Sequence, residues 1–133
     1  MDTRPLIIPV HKNAAVSFTQ EYCEKYGVEW HGDPNYGHNV YWYGAVCRGD
    51  LRAVIGFVDV PEGIMIWGFY GDKSIHSPRT LLALTKLAYS LSTTLYAYVH
   101  KDNVKMLSHC FREGWNKYGE SASKNEWLLR RNP

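Results

Sequence analysis

Cysteine is scarce in this chain and gives no framework: Cys23, Cys47 and Cys110 are odd in number, far apart and contain no C-x-x-C pair. That excludes a disulfide scaffold or a cysteine zinc site and fits free thiols in a reducing, cytoplasmic setting. Charge of one sign is also lacking. Fifteen Lys and Arg against 13 Asp and Glu leave a formal charge of +2, and the basic residues are too scattered to mark a nucleic-acid surface. No apolar run approaches the roughly 18 residues a membrane helix requires, and no basic stretch leads into a signal core, so neither a membrane span nor export is predicted. The six histidines, His11, His31, His38, His76, His100 and His109, contain no His-x-x-x-His pair, so no metal site is indicated. Internal repeats, low-complexity tracts and linkers are absent.

What is present is a core. Hydrophobic residues make up 45% of the 133 positions and charged residues 21%, a balance that predicts one domain over residues 1–133. Leu6 to Val10 reads as a strand. Asn13 follows as a helix cap, Ala15, Phe18, Tyr22 and Tyr26 recur at helical spacing, and Gly27 stops the helix. Trp30 to Tyr43, dense in Gly, Asn, Pro and aromatics, reads as a long loop. Tyr43–Cys47, Leu51–Val58 and Ile64–Phe69 then form an antiparallel meander, joined by turns at Arg48-Gly49-Asp50 and Pro61-Glu62-Gly63. The Arg-Gly-Asp triplet is read as a hairpin turn and not as an adhesion motif. Ser77 and Pro78 start a helix with Leu81, Leu84, Ala88 and Leu91 on one stripe. Thr94–Val99 is a β-branched and aromatic strand, and a helix from Val104, capped by Asp102 or Asn103, ends at Gly114. Lys117–Ser121 and Glu126–Arg130 close a final hairpin. The order is β-α-loop-β-β-β-α-β-α-β-β.

That order, together with Asn103 after a strand and the Gly114-Trp115 pair eleven residues later, resembles the GNAT (Gcn5-related N-acetyltransferase) family over nearly the whole chain. The resemblance implies an α/β (α+β) fold with a mixed, mostly antiparallel sheet of about six or seven strands flanked by three or four helices. It further implies an acyl-CoA-dependent N-acyltransferase, moving acetyl from acetyl-CoA to an amine of a small molecule or protein. The alternative is a catalytically inactive member of the fold acting as a binding or structural component, similar to the small internal virion proteins of T7-like phages.

Carried onto this sequence, the family's cofactor arm would lie beside Ile66, Trp67, Gly68 and Phe69. Its phosphate loop, Gln/Arg-x-x-Gly-x-Gly/Ala, falls on Lys73, His76 and Pro78, so both glycines are missing and Pro78 removes a backbone donor. Lys73, His76 and Arg79 can substitute side-chain charge for those donors, or simply stand solvated before a helix start. Asn103 is assigned to the cofactor or, equally, to helix capping. The family's tyrosine acid, seven residues after the Asn, is replaced by Cys110, which serves either as an acid or as a small core residue on an apolar helix face beside Val104, Leu107 and Phe111. His109 points about 100° away around the helix from Cys110, so the two form no ready dyad. His100, just past the fifth strand, is the general-base candidate, with a plain strand-end residue as its alternative. Trp30, His31, Asp33, His38, Tyr41 and Trp42 would line the acceptor side, or present a protein-binding patch.

Overall fold

The computed structural model describes residues 4–30, 32–35, 37–73 and 77–133. His31 and His76, both candidates above, lie outside these residues. Among the described residues the elements are β1 (Leu6–Val10), α1 (Lys12–Tyr26), β2 (Tyr41–Cys47), β3 (Asp50–Val60), β4 (Gly63–Gly71), α2 (Ser77–Ser90), β5 (Leu95–His100), α3 (Val104–Arg112), β6 (Asn116–Glu120) and β7 (Glu126–Arg131). Hydrogen bonding orders the strands β1-β2-β3-β4-β5-β7-β6. The β1–β2, β2–β3, β5–β7 and β6–β7 pairs are antiparallel and β4–β5 is parallel. Element order and sheet type are those the sequence predicts. The chain forms two compact units, one of residues 1–58 with 67–91 and the other of residues 59–66 with 92–133, so β3 and β4 each run from one unit into the other.

In the first unit the core forms around β3, whose Ala53, Val54, Ile55 and Phe57 are all buried. A strand with such a continuous apolar run has both faces covered. Arg48 (φ 54°) and Gly49 (φ 81°) join β2 to β3, and two consecutive positive φ angles make a two-residue type I′ hairpin, the turn whose twist matches the strands it connects. α1 buries Ala15, Thr19 and Cys23, with the Thr19 hydroxyl donating to the Val16 carbonyl at 3.0 Å, and Phe18, Tyr22 and Tyr26 sit half-buried beside them. Gly27 ends α1 at φ 67°, as predicted. α2 packs on β2 and buries Thr80, Leu84 and Ala88; Leu91 of the predicted stripe falls just beyond its last residue.

In the second unit, β7 lies between β5 and β6; its Leu129, opposite Ala97 of β5, is buried, as is Leu95. Asn103 is the cap of α3, its side-chain oxygen accepting the Met106 N–H at 3.3 Å, which settles the choice between Asp102 and Asn103. The C-terminal end closes through Gly114 (φ 91°), with the Trp115 N–H donating to the Cys110 carbonyl at 3.0 Å.

Three expectations are corrected. β2 begins at Tyr41, so Tyr41 and Trp42 are strand residues and not loop residues. The cap of α1 is His11, whose Nδ1 accepts the Asn13 N–H at 3.1 Å; Asn13 itself is already inside the helix. On α3, Val104 and Phe111, expected beside Leu107 on an apolar face, are 67% and 42% exposed, and only Leu107 and Cys110 are buried.

Candidate functional site

The loop that leads into β2 is held by two indoles. Asp33 turns the chain by accepting both the backbone N–H (2.8 Å) and the side-chain amide (2.7 Å) of Asn35. These donors favour the carboxylate and hold Asp33 below its ordinary pKa. Asn35, itself buried, accepts the Trp42 indole N–H at 2.8 Å. Trp67 on β4 donates its indole N–H to the Pro34 carbonyl at 2.6 Å, and its ring stands 4.6 Å from that of His38. The geometry thus brings together His38 and Trp67, one proposed for the acceptor and the other for the cofactor arm.

Trp42 is 3% exposed and forms the first unit's apolar cluster with Ala15 and Val54. Its ring lies over Gly56 and Gly68, where an added β-carbon would come within 3.0 Å of the indole. Gly68 therefore has a packing reason to be glycine. Tyr41 is 47% exposed and accepts a hydrogen bond from Asn39 at 3.3 Å. Trp30, half-buried, lines a hollow of about 90 Å³ with Cys23, Glu29, Pro34 and Tyr70, and Glu29 is the charged member among the described residues that line it.

Lys73, just past β4, is tied to α1. Its backbone N–H donates to the Tyr26 hydroxyl at 2.8 Å and its ammonium lies 4.9 Å from the Tyr26 ring centre. Lys25, which the sequence reading passed over, places its own ammonium 5.4 Å from the same ring. Arg79 is exposed in the first turn of α2, and Phe69 is half-buried.

In the second unit the parallel ladder runs through Ile64↔Leu95, Met65↔Tyr96 and Ile66↔Ala97, while β4 itself continues to Gly71 and β5 to His100. His100 is exposed and its Nδ1 accepts the Asp102 N–H at 3.2 Å. Cys110 is buried, and burial, with the Glu113 carboxylate second, pushes its thiol pKa up. A thiol raised above the acidity of a free thiol gives its proton to another thiolate uphill. A wider hollow of about 290 Å³ is lined by Val60, Pro61, Glu62, Met65 and Tyr96, with the Tyr96 hydroxyl donating to Glu62 at 2.9 Å. None of the residues singled out from the sequence line it.

Among the described residues no group of three or more His, Cys, Asp or Glu is arranged to hold a metal ion, and no helix is long and apolar enough to cross a membrane. The three cysteines are buried and form no disulfide among the described residues.

No family model and no curated protein sequence matches the chain. Solved structures do. The ribosomal-protein-S18-alanine N-acetyltransferase from Escherichia coli superposes with a TM-score of 0.63 at 15% identity, over 96% of this chain and 92% of that one. An acetyltransferase of the GNAT family from Staphylococcus aureus Mu50 gives 0.65 at 10% identity, over 96% and 98%. The PaiA N-acetyltransferase from Thermoplasma acidophilum, solved with coenzyme A, gives 0.54 at 15% identity, over 92% and 84%. The chain has the GNAT fold.

Proposed function

We propose that the protein is an acyl-CoA-dependent N-acyltransferase of divergent type. The observation that carries this reading is the end of the parallel ladder at Ile66↔Ala97, because β4 runs on through Trp67, Gly68 and Phe69 to Gly71. Backbone groups of an extended strand are the natural partners of the two amides in a pantetheine arm. The fold supports the same reading, since its neighbours include N-acetyltransferases and one coenzyme A complex. The amine acceptor enters beside Trp30 and Tyr70, with the Glu29 carboxylate attracting its ammonium form. The acceptor ammonium would first give one proton to solvent; the amine nitrogen would then attack the thioester carbonyl, and as the C–S bond breaks the nitrogen's remaining surplus proton would pass through water to the departing CoA thiolate, leaving a neutral amide and a free thiol. Chemistry then rests on placement of the two reactants more than on a side-chain acid or base. Isothermal titration with acetyl-CoA and CoA tests the reading, at concentrations that detect dissociation constants up to about 1 mM. Saturable binding of both is the expected result, and no binding of either rejects it.

A second reading, a binding protein without turnover, is favoured by the burial of the Cys110 thiol. Binding of acetyl-CoA with no acetyl loss across a panel of amines would establish it.

A further inference from the structure

We propose that the hollow at the turn between β3 and β4, walled by Val60, Pro61, Met65 and Tyr96 and edged by the Glu62 carboxylate, binds a small primary or secondary alkylammonium ion. All five residues belong to the second unit, and the hollow holds about 290 Å³, close to the size of a small-ligand pocket. A glycine at the turn builds it. A β-carbon on Gly63 would collide with the Thr94 carbonyl oxygen, which accepts the Ile64 N–H at 3.0 Å, so the turn presses against the start of β5 only with glycine there. That approach, with Met65 level with Tyr96 in the parallel ladder, brings Glu62 to the Tyr96 hydroxyl at 2.9 Å across 34 positions of sequence. Tyr96 is 6% exposed, and burial first, then its hydrogen bond to Glu62, raises its pKa, so the hydroxyl keeps its proton and donates.

The chemistry of the lining selects the ligand. One oxygen of Glu62 takes the Tyr96 hydrogen bond, which leaves the other with acceptor capacity, and among the described residues no lysine or arginine is ion-paired with this carboxylate. Arg130, opposite Tyr96 in the β5–β7 ladder, is held instead over the Tyr118 ring at 4.4 Å. A cation complements such a rim, and N–H groups let it use the second oxygen. Tyr96 is the one aromatic among the described lining residues, and a single ring makes no cage for a quaternary ammonium. Val60, Pro61 and Met65 supply apolar surface for an alkyl body behind the charge. The site does not rest on the acyltransferase reading, and it stands apart from the general-base candidate, Tyr96 being the second residue of β5 and His100 its last.

The test is NMR titration of the full chain, labelled at its methionine methyl groups, with hexylamine, hexanol and hexyltrimethylammonium. Met65 reports on the hollow, and Met106 of α3, 41% exposed, is the internal reference. Hexylamine is expected to move the Met65 signal saturably, to leave Met106 in place, and to bind about fivefold more tightly than hexanol, the worth of a partly solvated charge pair. Hexyltrimethylammonium should bind more weakly than hexylamine. Glu62→Gln, which can still accept from Tyr96, should cancel the preference for the amine while hexanol affinity and melting temperature stay the same. Hexanol binding as tightly as hexylamine makes the hollow an apolar pocket only and overturns the proposal, and this comparison on the parent protein stands whatever the variant does. Equal binding of the amine and the quaternary ion, an amine preference that survives in a folded Glu62→Gln, a Met106 shift that keeps pace with Met65, or a Met65 signal that no probe moves overturns it as well. None of these results bears on CoA, so titration with acetyl-CoA decides the acyltransferase reading separately.

Discussion

Trp42 and Trp67 of the first unit and Trp127 of the second are used in opposite ways. In the first, Trp42 and Trp67 give their N–H groups to Asn35 and the Pro34 carbonyl, so that a loop rich in polar residues is bound to a strand core. In the second, aromatic rings carry cations: Lys101 and Lys117 lie 4.1 and 4.2 Å from the ring centre of Trp127, and Arg130 lies 4.4 Å from that of Tyr118. Lys101 is also ion-paired with Glu120. A buried indole with a directed hydrogen bond specifies one loop conformation, because losing it leaves a polar atom unsatisfied in a dry place. A cation over a partly exposed ring adds attraction but dictates little, since water competes for the charge. Conformational specificity is therefore concentrated in the first unit, around the residues proposed to meet the acyl donor and its acceptor.

The contrast is testable from its strongest side downwards. Trp42→Ala empties the first unit's apolar cluster and orphans the side-chain Oδ1 of Asn35, and should cost about 3–5 kcal/mol in urea denaturation. A loss below about 1 kcal/mol would mean the indole is not the loop's anchor. Lys117→Ala in the second unit should cost only about 0.5–1 kcal/mol; a loss comparable with that of Trp42→Ala would erase the contrast. The smallest effect belongs to Asp33. Its folded pKa is depressed by the Asn35 donors, so its contribution is present above the unfolded pKa and is lost as pH falls through the folded value. Acid titration followed by NMR at Asn35 should show the loop loosening in that low-pH window, and Asp33→Asn should remove the dependence.

Much of the fold was legible because its signals are local. Gly27, Asn103, Gly114 and the Arg48-Gly49 turn all act within a few residues of themselves, and each was assigned to the element it bounds. The site was less legible because its contacts are distant. Trp42 reads as a loop aromatic until Gly56 and Gly68, 14 and 26 residues on, leave room beneath its ring. The pairing of Trp67 with His38 and Pro34, and of Lys73 with Tyr26, likewise joins residues with no shared sequence pattern. His11 was missed as a cap because a ring nitrogen seldom plays the part taken by Ser, Thr, Asp or Asn. Lys25 and Lys73 both reach the ring of Tyr26, and only the return of the chain at Lys73 brings the second lysine there.

The parallel pairing of Ile64–Ile66 with Leu95–Ala97 also bears on how the chain is made. Residues 67–91 belong to the first unit, so that unit has all its parts once the ribosome has passed Leu91. The start of β4 has none of its parallel partners at that moment. During synthesis it must wait with one side unpaired, the condition in which a nascent strand is most exposed to pairing with another chain.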